Sequence, residues 1–256
     1  MKLKSTSLLA FALVGALSSP LQAALVAYYS FDEDFTDGSG NNNHLSAVES
    51  GGATVAISDT ASEFVFGGGA ADFNSTTGNQ AYLTLTTAIN FGAADPWSVS
   101  FWVRRRADSD NRQGMVLGEV GSGTNFFWAS DNSAQVQGMR FRSDANTNAN
   151  FDVGADDGEF HHWVLTSDGA GTISAYWDSE KQDDVSTTGS INITSIGHAF
   201  NQTIHSMNGQ IDELYIFDEA IDQATVNSLF TSNVIPEPGS IVLLGLGGLL
   251  FLRRKR

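Results

Sequence analysis

Between residues 25 and 217 the chain runs in short β-branched and aromatic bursts, with turn residues between them. Leu25–Phe31, Ala81–Thr86, Trp97–Val103, Met115–Val120, Asn125–Ala129, Met139–Arg142, His161–Thr166, Thr172–Trp177 and Gln210–Phe217 are such bursts, and Gly, Asn, Asp and Ser cluster in the gaps. Branched and aromatic side chains fit a pleated, half-buried surface, whereas Gly, Asn, Asp and Ser supply turn conformations. Many short runs of this kind predict an all-β sandwich or barrel. The stretch from Ser98 shows the period of two: Val99, Phe101 and Val103 fall on one face, and Ser100, Trp102 and Arg104 on the other. Asp168-Gly169, between two runs, predicts a hairpin turn. One helix is expected over Gln223–Phe230, with Asp222 as N-cap and Val226, Leu229 and Phe230 on one stripe. No strand–helix alternation calls for a parallel sheet. The predicted architecture is therefore an all-β, two-sheet antiparallel sandwich with one short C-terminal helix.

The two ends read differently. Met1–Ser7 carries Lys2 and Lys4, Leu8–Leu17 is apolar, and Ala23 ends Leu21-Gln22-Ala23, the plan of a secretory signal peptide. The apolar run is shorter than the ~20 residues a bilayer-spanning helix needs, and Pro20 stops a helix before the cleavable site. Cleavage is expected after Ala23. At the other end, Pro236-Glu237-Pro238 precedes the apolar run Ile241–Leu252 and the basic stretch Arg253-Arg254-Lys255-Arg256. These parts, in this order, resemble the PEP-CTERM sorting signal of Gram-negative bacteria. The resemblance implies processing by an exosortase-type membrane protease near Pro236, Glu237 and Pro238. It also implies a location outside the cell or on its surface, reached through the inner membrane and periplasm. Ile241–Leu252 would rise only ~18 Å as a helix against a ~30 Å hydrocarbon core, which favours a transient span over a permanent anchor. Residues 1–23, 24–232 and 233–256 are thus expected to be leader, domain and tail.

Removing the ends sharpens the charge balance. Six of the 13 Lys and Arg and one of the 29 Asp and Glu lie in them, which leaves seven against 28, a net charge of −21. Phosphate binding needs clustered Lys and Arg, so nucleic acid is excluded as a partner. The chain has no cysteine, which removes thiol nucleophiles, Cys-ligated zinc and disulfides. A secreted domain of this kind must rely on its hydrophobic core, helped by metal if one is bound.

Within the domain, Leu25-Val26-Ala27-Tyr28-Tyr29-Ser30-Phe31-Asp32 followed by Asp37-Gly38-Ser39-Gly40-Asn41-Asn42-Asn43-His44 resembles the opening of laminin-G-like, concanavalin A-like jelly-roll domains. Trp97–Val103 is similar to their central strand. Glu159-Phe160-His161-His162-Trp163 and Ser174-Ala175-Tyr176-Trp177-Asp178 are similar to their paired strands, and Gly209–Phe217 to their closing segment. The resemblance implies two packed antiparallel sheets of roughly a dozen strands. It implies little about activity, because one fold hosts lectins, adhesion modules, glycosidases and spacers.

Candidate sites are few. Asp32, Glu33, Asp34, Asp37, Asn41, Asn42 and Asn43 crowd one loop with Gly38 and Gly40. Calcium takes six to eight oxygens, and such a loop can offer side-chain and backbone oxygens together. In related jelly rolls this loop packs against the Asp of the closing segment, so Asp37, Asn41 and Asp212 are the expected structural Ca2+ ligands. The competing reading is an Asx-type turn made by the same residues. His161-His162 is not read as zinc-binding, since adjacent strand residues point to opposite faces and no third ligand is spaced for it. Catalytic glycosidase carboxylates face one sugar from ~5–9 Å apart. The laminarinase-type Glu-x-Asp-x-x-Glu pattern is missing both its glutamates around Asp212-Glu213, and alternation sends those two to opposite faces. No Gly-x-Ser-x-Gly elbow or phosphate loop is present. Trp128, in Phe126-Phe127-Trp128, is the expected ligand contact, although alternation buries either Phe127 alone or Phe126 and Trp128 together. The sequence therefore points to a secreted, non-enzymatic module that binds carbohydrate or protein in an extracellular matrix. A ligand-free matrix spacer and a divergent polysaccharide-active enzyme are the alternatives.

Overall fold

The computed structural model describes residues 25–76, 78–106, 114–133, 136–153, 158–199 and 205–235. The leader and the tail from residue 236 on, with Pro236, Glu237 and Pro238, lie outside the described residues. The described elements are sixteen strands and one helix, α1 (Gln223–Ser232). In chain order the first eight strands are β1 (Leu25–Tyr29), β2 (Leu45–Glu49), β3 (Thr54–Ser58), β4 (Ala70–Asn74), β5 (Ala81–Phe91), β6 (Trp97–Arg105), β7 (Met115–Gly118) and β8 (Phe126–Ser133). The rest are β9 (Val136–Arg142), β10 (Asn148–Asp152), β11 (His161–Ser167), β12 (Thr172–Trp177), β13 (Glu180–Lys181), β14 (Val185–Ser186), β15 (Ile191–Ile196) and β16 (Asn208–Phe217).

They form two antiparallel sheets. A nine-stranded sheet runs β13-β12-β11-β6-β16-β4-β3, with β1 on β16 and β14 on β12. A seven-stranded sheet runs β10-β9-β8-β7-β15-β5-β2. The crossovers between sequence-distant strands are those of a jelly-roll sandwich, as expected. The main core lies between the sheets and follows the alternation: Trp97, Val99, Phe101 and Val103 from β6 meet Phe127 and Ala129 from β8 and Met139 and Phe141 from β9.

A second, smaller core lies on the outer face of the nine-stranded sheet. There Val164, Tyr176, Tyr215 and Phe217 pack under Ile221, Val226 and Leu229. Asp222 caps α1 by accepting from the Thr225 N–H at 2.9 Å, and Asn233 ends it in the left-handed conformation at φ 53°. Phe230 stacks on Trp102 with ring centroids 5.4 Å apart, which fixes the helix over the sheet.

The period of two fails at one informative place. In β16 the register against β6 slips between Asp212 and Tyr215, and Glu213 takes φ 50°. Ile211 and Leu214 both face the main core, so the extra residue of this bulge turns Asp212 and Glu213 away from it together. The expected opposite facing of Asp212 and Glu213 is thereby corrected. For His161 and His162, where the strand is regular, opposite facing holds: His161 stacks on Trp177, and His162 packs against Phe230.

Candidate functional site

Three neighbouring strands at one end of the seven-stranded sheet build the candidate site. β8 pairs with β9, and β9 with the edge strand β10, so that Phe126, Arg142 and Asn148 fall in one cross-strand row. Trp128, Arg140 and Asn150 fall in the next. Their strand neighbours Phe127, Ala129, Phe141, Ala149 and Phe151 point into the main core, so both rows face outward. Gly138 allows the close pairing of β9 with β10: it sits at φ 146°, and a Cβ there would lie 2.3 Å from the Phe151 carbonyl oxygen.

Within the rows the side chains are layered. The Arg140 guanidinium lies 5.4 Å from the Trp128 ring centroid, and that of Arg142 lies 5.9 Å from Phe126. Both are within cation–π range. Arg140 Nε donates to Asn150 Oδ1 at 3.0 Å, which anchors one guanidinium to the edge strand. Met115 and Ala199 close the aromatic floor beside Phe126 and Trp128, and the His205 ring meets Trp128 edge-on. Asn148 and Asn150 are exposed.

The layer holds unsatisfied polarity. Trp128 Nε1 and Arg142 Nε are buried donors with no hydrogen-bond acceptor among the described residues. A buried donor left unmatched costs about 1–3 kcal/mol. Burial, and after it the neighbouring charge of Arg142, holds the Arg140 pKa below the ordinary guanidinium value. Of the aromatic run, Phe127 lies in the main core, and Trp128, the expected ligand contact, lies half-buried on the outer face beside Phe126. Arg140, Arg142, Asn148 and Asn150 were not foreseen. Their signal was the alternation Met139-Arg140-Phe141-Arg142, which puts two cations on one face of a strand.

The three expected calcium ligands are placed as follows. Asp37 accepts from the Tyr28 and Ser39 N–H groups at Oδ1 (3.0 and 2.9 Å), and from the Ser39 hydroxyl and Asn43 N–H at Oδ2 (both 2.9 Å). Burial alone would raise its pKa; these hydrogen bonds outweigh it and hold the value below that of an ordinary carboxylate. Four accepted bonds occupy the carboxylate's lone pairs. Asn41 donates its amide to the Leu25 and Val26 carbonyls. The bond from Ser39 N–H to Asp37 Oδ1 is that of an Asx turn. Asp212 is held by another segment, its Oδ2 accepting from Val65 N–H at 2.7 Å while its Oδ1 is buried without a partner among the described residues. No hydrogen bond joins it to the Asp37 loop among the described residues, and no three His, Asp or Glu there gather in a metal-holding arrangement.

Two other constellations have the residue types of catalysis but not its access. Asp212 and Glu213 are 0 % and 2 % exposed, and Glu213 accepts from the Tyr28 hydroxyl at 2.7 Å. Burial pushes the Asp212 carboxyl up to about 7, and the Glu213 carboxyl up as well. Ser100 Oγ lies 2.9 Å from His162 Nε2, the spacing of a nucleophile and base. His162 Nδ1 has no carboxylate, however, and Asp178 reaches only the His162 backbone N–H and the His161 ring.

Comparison with known proteins agrees with this architecture. Residues 77–227 match the laminin-G-type model of the concanavalin A-like lectin/glucanases superfamily, and the chain belongs to that superfamily. Residues 234–256 match the PEP-CTERM protein-sorting motif, which directs export to the cell surface or extracellular space in Gram-negative bacteria and implies exosortase-type processing. No curated protein matches the chain. Among solved structures, domain 4 of AbnA, a GH43 extracellular arabinanase from Geobacillus stearothermophilus in complex with arabinotriose, is similar at 20% identity and a TM-score of 0.60, over 82% of this chain and 100% of that one. The binding domain of Paraclostridial Mosquitocidal Protein 1 is similar at 18% identity and a TM-score of 0.57, over 82% of this chain and 52% of that one. The binding domain of botulinum neurotoxin DC, in complex with rat synaptotagmin II, is similar at 17% identity and a TM-score of 0.59, with the same coverage of 82% and 52%. The chain spans about half the length of these two toxin chains. At such identities the likeness establishes the fold.

Proposed function

We propose that this protein is an exported, non-enzymatic module that holds saccharide chains outside the cell through the outer face of β8, β9 and β10. The observation that carries the reading is the pair of cross-strand rows, with the half-buried Trp128 beside a buried Phe126 and exposed Asn148 and Asn150 next to them. Aromatic faces pack against the C–H faces of sugars, and amide groups meet their hydroxyls. The arabinotriose complex of a similar domain and the similarity to toxin binding domains support a binding use of this fold. The acidic pair Asp212 and Glu213 is shut from solvent, which speaks against hydrolysis.

The test is a panel of insoluble and immobilised polysaccharides, including the exopolysaccharide of the host. The mature protein is expected to be retained by at least one and to release no reducing ends from any. Retention by none, or reducing ends released by pure protein, overturns the reading.

Export and processing complete the proposal. α1 and its cap end at Asn233, and Ile235 still packs on the small core, so a cut near Pro236 would leave the domain intact. Intact-mass measurement of protein recovered from the medium is expected to show both leader and tail missing. A secreted species still carrying Arg256 contradicts this.

Calcium enters the proposal through Asp212, whose Oδ1 has no hydrogen-bond partner among the described residues. If calcium is held there, wild-type melting temperature rises with calcium over chelator, and Asp212→Asn removes the difference. Equal melting temperatures for the wild type in both conditions discard the ion.

A further inference from the structure

The seven Lys and Arg of the domain face 28 acidic residues, yet two of them, Arg140 and Arg142, stand two apart on one face of β9. Like charges placed so close repel, and an acidic chain has carboxylates to spare for neutralising them. Among the described residues, the Arg142 side chain nevertheless forms no ion pair and no hydrogen bond, and its guanidinium lies over the ring of Phe126. It is half-buried: its Nε is shut from solvent, while the residue as a whole keeps part of its surface exposed. The opposing residue on β10 is Asn148, a neutral amide, and the opposing residue on β8 is Phe126. The nearby acid Glu119 is engaged elsewhere, accepting from the Asn125 amide at 2.6 Å. Asp144 accepts from the Ser190 hydroxyl.

Resting on the saccharide-binding reading above, we propose that this face selects acidic saccharides, with the Arg142 guanidinium taking the carboxylate or sulfate of a sugar unit. Guanidinium presents N–H donors in a fork that matches the two oxygens of such a group. The half-buried Trp128 would hold the sugar ring's apolar face, and the exposed Asn148 would meet a hydroxyl beside the charge. The arrangement also explains how an acidic protein can hold an acidic polymer. The attraction is short-ranged and charge-assisted, while the long-range repulsion from the remaining surface is screened beyond ~8–10 Å at physiological salt.

The experiment uses two matched pairs of polymers on the mature protein: polygalacturonate against its methyl ester, and dextran sulfate against dextran. The first pair reads a carboxylate, the second a sulfate. Wild type is expected to prefer the acidic member of at least one pair by about tenfold or more, the scale of a charge-assisted hydrogen bond. Arg142→Gln is expected to bring that preference close to one, with its melting temperature unchanged; Arg142→Lys is expected to restore only part of it, because an ammonium lacks the fork. Equal binding to acidic and neutral members overturns the inference and leaves the saccharide reading standing. A preference that survives in Arg142→Gln also overturns it. Binding to no polymer in this test or in the wider panel removes both.

Discussion

Trp97→Ala is expected to destabilise the domain by about 3–5 kcal/mol, the range for emptying a fully buried tryptophan site. Trp97 is 0% exposed at the start of β6 and sits at the centre of the aromatic core. Its ring meets Phe127 and Phe141 edge-on, with centroids 5.7 and 5.4 Å away, and Phe91 at 6.4 Å. Its indole N–H donates to the Gly189 carbonyl, so truncation also strands a buried acceptor. Domains of this size hold about 5–15 kcal/mol in total, and the chain has no disulfide to make up the loss. Denaturant melts should show the midpoint falling with the slope unchanged, and Trp97→Phe should recover part of the loss. A cost below about 1 kcal/mol would mean that the core is not organised around this ring.

The second large effect is acid sensitivity centred on His162. This imidazole is buried among Ser100, Trp102 and Phe230, and burial pushes its pKa down to about 3. In the unfolded chain it titrates near ~6.5. Between those values the unfolded state binds a proton that the folded state refuses, so stability falls as pH falls through that window, by roughly 3–5 kcal/mol in full. His198, pushed down to about 4 by burial and by the charge of His205, acts in the same direction. Asp212 acts in the opposite one: its carboxyl keeps a proton up to about 7 in the fold, so it adds stability as pH falls from there toward its unfolded value. The terms oppose one another between pH 7 and about 4. Below that Asp212 no longer contributes, and the fall steepens. Unfolding free energies measured across this range should show the gap between wild type and His162→Gln narrowing as pH drops. Parallel curves would show that His162 is not the group that charges.

Much of the architecture was legible because the core obeys simple alternation. Trp97–Val103, His161–Thr166 and Thr172–Trp177 carry branched and aromatic residues at every second place or more densely, and each became a strand with nearly those bounds. The helix was legible from Asp222 and the stripe of Val226, Leu229 and Phe230, and it runs two residues further, to Ser232. β10 was not. Asn148-Ala149-Asn150-Phe151-Asp152 has the composition of a turn, and its extended form comes from pairing with β9 along the whole of its length. β2, β3, β4 and β15 were missed too; they are five or six residues long, and long-range partners fix them. The site shows the same division. Trp128 could be picked from its aromatic run, whereas the rows that join it to Arg140 and Asn150 depend on strand register, which a single sequence does not display. The Asp212–Glu213 bulge failed for a related reason: one inserted residue breaks the period on which the facing of both carboxylates was judged.

The saccharide-binding face is the account's central claim, and a calorimetric titration tests it most directly. The titrant is an oligosaccharide cut from whichever polymer retains the mature protein, and the comparison is wild type against Trp128→Ala. Trp128 lies outside the main core, so the variant should keep the wild-type melting behaviour within a few degrees. Affinity should drop by at least about tenfold, as for a buried aromatic contact at the centre of a site. Affinity within about twofold of wild type, on a folded variant, would place the saccharide elsewhere and contradict the account.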